Sequence, residues 1–298
     1  MLNSIGFKGN ASIYKNGKNV FNYTTANTHD TSYLINSVQK PFTAAMLMQE
    51  VKNNRINLND VLSKYYSNIS NSNKITILQL LEMKSGLSFT GSAYSTNPFI
   101  SDENNIEYDA KYIKFNPLKY NKWDYEDINY IILGHILEKI SGKSYQELFI
   151  DSFIKKLPLS NTGFALDSQS QLKKINFIKE KQNNIDLYDM HGSIGAAGII
   201  MSNNDLYTSL KSLLNGDVLT SSESNTIYNL SNVNGNYRGG FYSYHGFLAS
   251  NGGGYHYNTF VRISKDGKNA FIMQTNSGHS WSKESSTAYK IYHKVFDK

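Results

Sequence analysis

The chain has 298 residues, of which 40% are hydrophobic and 18% are charged, a composition typical of an ordinary globular protein. It contains no cysteine, which excludes disulfides, thiolate metal sites and cysteine nucleophiles. The net charge is +6, yet only three of the 30 basic residues are arginine, so base-specific recognition of nucleic acid is not expected. The diffuse positive charge suits an anionic polymer, and it equally suits a soluble protein from an AT-rich genome.

Simple sequence patterns bear on three further features: membrane spans, an export signal, and a metal or cofactor site. The apolar runs are far shorter than a membrane span, and no basic segment followed by an apolar core opens the chain, so no secretory signal is visible. The seven histidines are scattered and include no pair at i and i+4. We therefore expect neither a metal site nor a cofactor.

The first predicted element is a β-hairpin. Residues 11–14 and 20–23 alternate in the manner of strands, and Asn16-Gly17 between them is a strong turn signal. An apolar stretch over residues 41–48 then predicts a buried helix. Because a proline is tolerated only near a helix start, Pro41 indicates that Ser37 lies at the first turn of this helix.

The remaining elements predict a mixed fold. Residues 57–164 are mostly helical in pattern and include an apolar helix that starts at Ile128 and ends near Gly142. Strand patterns return after Gly239, and a final helix is expected to cover the sheet; the ranges are 240–244, 259–263 and 270–274 for the strands and 282–296 for the helix.

We predict a single domain of α/β (α+β) class, with an antiparallel sheet flanked by helices plus an all-helical lobe. The sheet lobe is expected to take about residues 1–56 and 165–298, and the helical lobe about residues 57–164. The cleft between two such lobes is a usual place for a ligand pocket.

The stretch Ser37-Val38-Gln39-Lys40 carries the first chemical signal. Residues three apart share one face of a helix, so the Lys40 amine can reach the Ser37 hydroxyl and act as its base. A serine hydroxyl is a poor nucleophile until an adjacent base takes its proton. The S-x-x-K pattern alone is weak, but the apolar helix behind it makes a solvated surface a poor explanation for this pair.

Two downstream segments supply the partners that such a pair needs. Tyr125 and Asp127 stand immediately before the apolar helix that starts at Ile128. Much later, Ser250-Asn251-Gly252-Gly253-Gly254 precedes a β-rich stretch, and glycine lets a backbone approach a ligand closely. A plain tight turn would explain the glycines if they stood alone.

With these three segments in this order, the chain resembles the serine β-lactamase and penicillin-binding-protein superfamily, in its class C and esterase-like branch. That family carries S-x-x-K, then Y-x-N, then a K-T-G or H-x-G strand. Three more stretches match family landmarks in the family's order, at residues 74–87, 158–164 and 195–206. The resemblance covers nearly the whole chain and implies a β-lactamase/transpeptidase-like fold.

The resemblance also implies roles for individual residues. Ser37 is expected to be the nucleophile of an acyl-enzyme mechanism, with Lys40 and Tyr125 as proton carriers. The backbone N–H groups of Ser37 and Gly253 are expected to form the oxyanion hole. Asp127 is expected in catalysis and in substrate binding, and the other substrate-binding positions are Ser250, Asn251 and Gly252.

Two departures from the family pattern bear on the substrate. Asp127 stands where the family usually has asparagine, and Ser250 stands where it usually has lysine or histidine. In the family that cation helps to hold a substrate carboxylate, so its loss and the added carboxylate should favour a substrate with an ammonium group. A Tyr-x-Asp motif is similar to that of FmtA-type teichoic acid D-alanine esterases. Asp127 could instead simply form an ion pair with Lys40.

The favoured expectation is therefore a serine esterase that removes D-alanine from teichoic acids. The alternatives are a penicillin-binding D,D-peptidase or weak β-lactamase, and a non-catalytic penicillin-binding-like cell-wall protein. The expected partner is an anionic cell-wall polymer or another small ester or peptide substrate, with no nucleic acid and with contact to a membrane or wall surface possible. The expected location is extracellular, on the cell surface or membrane-associated in a Gram-positive bacterium.

Overall fold

A seven-stranded antiparallel sheet forms the centre of the protein. The computed structural model describes residues 1–25, 28–89, 106, 109–167, 177, 190, 192–230, 236–277 and 280–297. The strands within these residues are β1 (Asn10–Lys15), β2 (Lys18–Thr24), β3 (Ser32–Leu34), β4 (Leu87–Phe89), β5 (Ile113–Phe115), β6 (Thr162–Phe164), β7 (Ile199–Ser202), β8 (Asn236–Arg238), β9 (Phe241–Ser243), β10 (Phe247–Gly254), β11 (Tyr257–Ser264) and β12 (Ala270–Thr275).

The central sheet has the strand order β2-β1-β12-β11-β10-β9-β8, so the chain's first and last strands are neighbours. The predicted hairpin is confirmed: β1 pairs with β2, and Asn16 and Gly17 take φ values of 50° and 82°. A two-residue turn of this kind requires positive φ at both positions, which is why Asn-Gly is the preferred pair. A smaller sheet has the order β3-β7-β6, and its strand β3 leads into the turn that carries Ser37.

Helices cover both faces of the central sheet. Their bounds are α1 (Lys40–Lys52), α2 (Ile77–Leu81), α3 (Ile128–Ser141), α4 (Tyr145–Phe149), α5 (Asn203–Leu214), α6 (Ser221–Tyr228) and α7 (Trp281–Phe296). Helix α7 packs on β11 and β12 from one side, where Phe260 and Met273 join Ala288 in the core. Helix α1 lies in the larger core on the other side, together with Val261 and Ile272.

The middle of the chain contributes the helices that pack against α1. Helix α3 is buried over most of its length and ends at Gly142, whose φ of 69° is the left-handed conformation common at helix ends. This agrees with the predicted end of the helix. The same part of the chain also contains a short two-stranded ribbon, β4 with β5, beside the predicted helices. The division into a sheet lobe and a helical lobe stays a prediction.

The connection between β10 and β11 is unusual for its residue types. Gly254 pairs with Tyr257, so only Tyr255 and His256 form the turn, and both have positive φ, at 52° and 64°. Residues with a Cβ avoid this region at a cost of roughly 1–2 kcal/mol each. Such strain persists only where surrounding contacts impose it.

Candidate active site

Ser37 lies on a tight turn between the small sheet and the buried helix. After β3, residues Asn36–Gln39 form one turn of 3-10 helix that continues directly into α1, with Pro41 in the first turn of α1. The Ile35 N–H donates to the Ile199 carbonyl at 3.0 Å, which fixes the start of this turn to β7. The Ser37 side chain is half-buried, so its hydroxyl is accessible at the mouth of an otherwise apolar helix.

The Lys40 amine is the centre of the site. Its side chain has no exposed surface, and its Nζ donates to the Ser37 Oγ at 2.7 Å and to the Asp127 Oδ1 at 2.6 Å. A longer contact of 3.4 Å joins the same nitrogen to the Ala196 carbonyl. An ammonium has three donors, so these three acceptors satisfy the buried cation.

The side chain of Asp127 does not cap helix α3, which leaves its carboxylate available to Lys40. It directly precedes α3, yet its side chain makes no hydrogen bond to the first turn of that helix. The segment is held instead by Asn129, whose Nδ2 donates to the Glu126 carbonyl at 2.9 Å and whose Oδ1 accepts from the Ser85 hydroxyl at 2.6 Å. The Asp127 side chain is 41% exposed, so the ion pair has one buried partner and one solvated partner.

Tyr125 lies beside Lys40 as well. The centroid of its ring is 5.2 Å from the Lys40 Nζ, and the ring forms a T-shaped pair with Tyr237, with centroids 6.0 Å apart. The structure thus brings Ser37, Lys40, Tyr125 and Asp127 together, although 87 residues separate Lys40 from Asp127 in the chain.

Two opposing effects set the pKa of the Lys40 amine. Burial lowers the pKa of the Lys40 amine, whereas Tyr125 and then Asp127 raise it, and the net result is a pKa above the ordinary value. The amine is therefore an ammonium at neutral pH, because an opposite charge within hydrogen-bond distance favours the charged form. An ammonium cannot accept the serine proton until it has lost one of its own.

Strand β10 brings its glycines against the Ser37 turn. A Cβ on Gly252 would lie 2.0 Å from the Ile35 carbonyl oxygen and 3.1 Å from the Ser37 nitrogen, so only glycine fits there. Gly253 follows it in β10, and the place of its N–H in an oxyanion hole stays a prediction. Strand β9 pairs with β10 only at Leu248 and Ala249, and within the described residues no other strand pairs with that edge farther along.

The side chains of Ser250 and Asn251 are both engaged within the protein. Ser250 is buried, and its Oγ donates to the Gly240 carbonyl at 3.1 Å. Asn251 points to the other face of the sheet, where its Oδ1 accepts from the Arg262 guanidinium at 2.7 Å. The structure therefore does not bring the Asn251 side chain to the Ser37 face, and a substrate-binding role for these two residues stays a prediction.

Two groups at the site were not singled out by the sequence. Asn36, next to the nucleophile, has a φ of 48° and a buried side chain that donates to two carbonyls of the β10–β11 hairpin. Asparagine is one of the few residues that tolerate this conformation, so an asparagine directly before the serine was the available signal. The Ala196 carbonyl that faces Lys40 is a backbone group, and its contribution leaves no side-chain signature.

Replacing Gly252 with alanine should lower both activity and stability. The new methyl group would collide with backbone atoms that cannot turn away, so β10 must move from the Ser37 turn. A displacement of about 1 Å can cost roughly 100-fold in rate, and overpacking typically costs about 1–3 kcal/mol. Turnover and thermal unfolding would be measured together.

Gly142→Ala is the control for that substitution. Gly142 also has an unfavourable φ for alanine, but nothing lies within 4 Å of its Cβ position and it ends α3 away from Ser37. It should lose stability without a matching loss of kcat. A Gly252→Ala protein with unchanged kcat would mean that the close approach of β10 does not shape the site.

Within the described part of the chain, no group of three or more histidine, aspartate or glutamate side chains is arranged to hold a metal ion. None of the helices found there is both long and apolar enough to cross a membrane.

Comparison with known proteins gives consistent matches. The Beta-lactamase family model matches residues 8–294. The putative penicillin-binding protein PbpX of Bacillus subtilis is 25% identical over 287 residues, which cover 92% of this chain and 72% of that protein. A teichoic acid D-alanine hydrolase of Staphylococcus aureus is 33% identical over 175 residues, which cover 55% of this chain and 42% of the hydrolase, less than half of its length.

Solved structures show the same fold. The crystal structure of FmtA from Staphylococcus aureus has a TM-score of 0.83 at 24% identity and covers 98% of this chain and 84% of that one. A D-amino acid amidase from Ochrobactrum anthropi has a TM-score of 0.78 at 14% identity and covers 98% of this chain and 93% of that one. At these identities the likeness establishes the architecture.

Proposed function

The chain belongs to the beta-lactamase family, within the superfamily of serine hydrolases that includes the penicillin-binding proteins, and from that premise we propose that it is a serine esterase that removes D-alanine from teichoic acids. The observation that carries the proposal is the double contact of the Lys40 Nζ, at 2.7 Å to the Ser37 Oγ and 2.6 Å to the Asp127 Oδ1. It supplies a nucleophile, a proton carrier and a carboxylate at one place.

The proposed mechanism is acyl transfer through a covalent intermediate. The Ser37 Oγ attacks the ester carbonyl, and its proton passes to the neutral form of Lys40, which is present once the ammonium has lost a proton, and is relayed onward through Tyr125. The N–H groups of Ser37 and Gly253 hold the oxyanion that forms, and each such donor is typically worth about 100- to 1000-fold in rate. Tyr125 passes a proton to the departing alcohol, and water then releases D-alanine from Ser37.

The charge at the site supports an ammonium-bearing substrate. Lys40 bonds one oxygen of Asp127, and the 41% exposure of that side chain leaves the carboxylate open to a second cation. At position 250 the site has a buried serine bonded to Gly240 in place of a cation that could hold a substrate carboxylate. D-alanyl esters carry a free ammonium and no carboxylate, which fits both features.

A penicillin-binding D,D-peptidase or weak β-lactamase is the second candidate. The match to the putative penicillin-binding protein PbpX extends over 92% of this chain, whereas the match to the teichoic acid hydrolase extends over 55%.

The natural partner in our proposal is an anionic wall polymer, to which the net charge of +6 would draw the enzyme. That partner implies an extracellular or surface location in a Gram-positive cell.

The deciding assay compares two acyl donors on the same purified protein. D-alanine release from a D-alanyl ester would be followed beside covalent labelling by a fluorescent penicillin, with Ser37→Ala as control. Serine-dependent release with little labelling is the expected result. Stable labelling without release would favour the peptidase or β-lactamase, and neither reaction would point to a non-catalytic relative.

Replacing Asp127 with asparagine should reduce the preference for cationic esters. The substitution keeps the shape of the side chain and removes its charge. Because Asp127 is 41% exposed, its attraction for an ammonium should be worth roughly 1 kcal/mol, or about fivefold in kcat/KM. The measurement is the ratio of kcat/KM for a D-alanyl ester to that for its uncharged N-acetyl analogue; an equal loss on both would restrict Asp127 to positioning Lys40.

The same variant should change the pH dependence in a defined direction. The pKa of Lys40 is raised, with Tyr125 and Asp127 as the raising causes, so the neutral amine that can accept a proton accumulates only as the pH increases. Removing the Asp127 charge lowers that pKa. The ascending limb of the kcat/KM profile, where activity grows with pH, should therefore move to lower pH in Asp127→Asn. An ascending limb that stays in place would assign this limb to another group.

A further inference from the structure

The two donors of the proposed oxyanion hole lie on separate segments of the chain. The Ser37 N–H belongs to the turn between β3 and α1, and the Gly253 N–H belongs to β10, near its hairpin with β11. The turn of that hairpin holds Tyr255 and His256 at positive φ. A strained turn keeps its shape only when contacts from outside impose it.

Asn36 makes two such contacts. Its Nδ2 donates to the Gly254 carbonyl and to the Tyr257 carbonyl, each at 3.1 Å, and these two residues flank the strained turn on either side. The Asn36 side chain is buried, so water does not substitute easily for either hydrogen bond. One amide group therefore joins the base of the hairpin to the residue that precedes the nucleophile.

The backbone of Asn36 has a second effect on the same site. Its φ of 48° places it in the left-handed region, and the peptide group that follows it carries the Ser37 N–H. The direction of that N–H therefore depends on the conformation of Asn36, while its distance from β10 depends on the Asn36 side chain. Preorganised donors stabilise an oxyanion only if both direction and spacing are maintained.

We propose that Asn36 is a positioning residue that fixes the spacing between the Ser37 and Gly253 N–H groups by clamping the β10–β11 hairpin to the nucleophile turn. The catalytic part of this inference rests on the proposed serine hydrolase function, whereas the clamp itself is a property of the fold. Asn36 touches no reacting atom; it acts through the two donors.

Two variants separate the side chain of Asn36 from its backbone. Asn36→Gly accepts positive φ at no cost and removes both hydrogen bonds. Asn36→Asp keeps the size of the side chain and replaces the donor with an oxygen that faces two carbonyl oxygens. In both we expect kcat to fall by about 10- to 100-fold while KM changes by less than about threefold, because the donors act mainly on the transition state.

Asn54→Gly is the matched control. Asn54 also has positive φ, at 55°, but it is exposed just beyond the end of α1 and makes no side-chain hydrogen bond within the described residues. We expect wild-type kcat and KM from this variant. A folded Asn36→Gly protein with kcat within twofold of wild type would overturn the role of Asn36 in positioning.

Amide hydrogen exchange tests the clamp without any substrate. Peptides covering residues 250–258 should exchange at least about fivefold faster in Asn36→Gly than in wild type or Asn54→Gly. Unchanged exchange would overturn the clamp. A wild-type protein that neither turns over esters nor reacts with a fluorophosphonate at Ser37 would overturn the proposed function instead, and the exchange result would still decide whether Asn36 holds the hairpin.

Discussion

Ser37→Ala should lower ester turnover by at least about 10⁴-fold, since loss of a serine nucleophile removes the covalent route and leaves only binding and the oxyanion hole. The fold should be little affected. Ser37 is half-buried, and its hydroxyl accepts one hydrogen bond from Lys40, which keeps Asp127 and Ala196 as acceptors when the hydroxyl is removed. We therefore expect a melting temperature within a few degrees of wild type.

The measurements for Ser37→Ala are kcat/KM on a D-alanyl ester and covalent labelling by a fluorophosphonate, located by mass spectrometry. Ser209→Ala is a suitable control, because Ser209 is buried in α5 and its hydroxyl has no hydrogen-bond partner among the described residues. The control should keep full activity. More than a tenth of wild-type turnover in Ser37→Ala, or labelling at another residue, would remove Ser37 from the role of nucleophile.

Lys40→Met should lower kcat/KM by about 10²- to 10⁴-fold, the usual contribution of a positioned acid–base group. Stability should respond far less. Methionine has a similar length and suits a site with no exposed surface, and the Asp127 carboxylate that loses its partner is 41% exposed and can be solvated. Removing one partner of an ion pair is strongly destabilising when the charge left behind is buried, and here that charge reaches solvent.

Thermal unfolding and kcat/KM across the pH range would be measured on the same preparation of Lys40→Met. Lys64→Met is the control, since Lys64 is 55% exposed and forms a surface ion pair with Asp60. A Lys40→Met enzyme within tenfold of wild type, with the ascending limb of its pH profile retained, would assign the serine proton to Tyr125 alone. If kcat/KM falls and the ascending limb of its pH profile disappears, Lys40 takes part in the transfer of the serine proton.

The local parts of the fold could be predicted because short-range rules control them. Asn16-Gly17 adopts the positive φ values that its residue types favour, and Gly142 ends α3 as expected from glycine at a helix end. The S-x-x-K spacing also gave the correct neighbour for Ser37, because residues three apart meet on one face of a helical turn.

The position of the glycine-rich segment, residues 250–254, was only partly predictable. The sequence indicated a glycine-rich stretch before a strand, whereas the structure makes residues 250–254 the end of β10 itself. Side chains alternate across a strand, so Asn251 faces Arg262 on the α7 side while Gly252 faces the Ser37 turn. Which residue of such a run faces the nucleophile depends on strand register, and the glycines gave no hydrophobic pattern from which to assign it.

The sequence by itself determined the family, the order of the motifs and the local geometry of the Ser37–Lys40 turn, because backbone periodicity and residue conformational preference act over a few residues. The tertiary structure decided that Asp127 bonds Lys40 across 87 residues and that Asn36 bonds the β10–β11 hairpin across 218. The sequence offered the Asp127–Lys40 ion pair as one alternative, but the partners of Asn36 and of the Ala196 carbonyl were not readable from it, because these contacts arise when distant elements pack into one core.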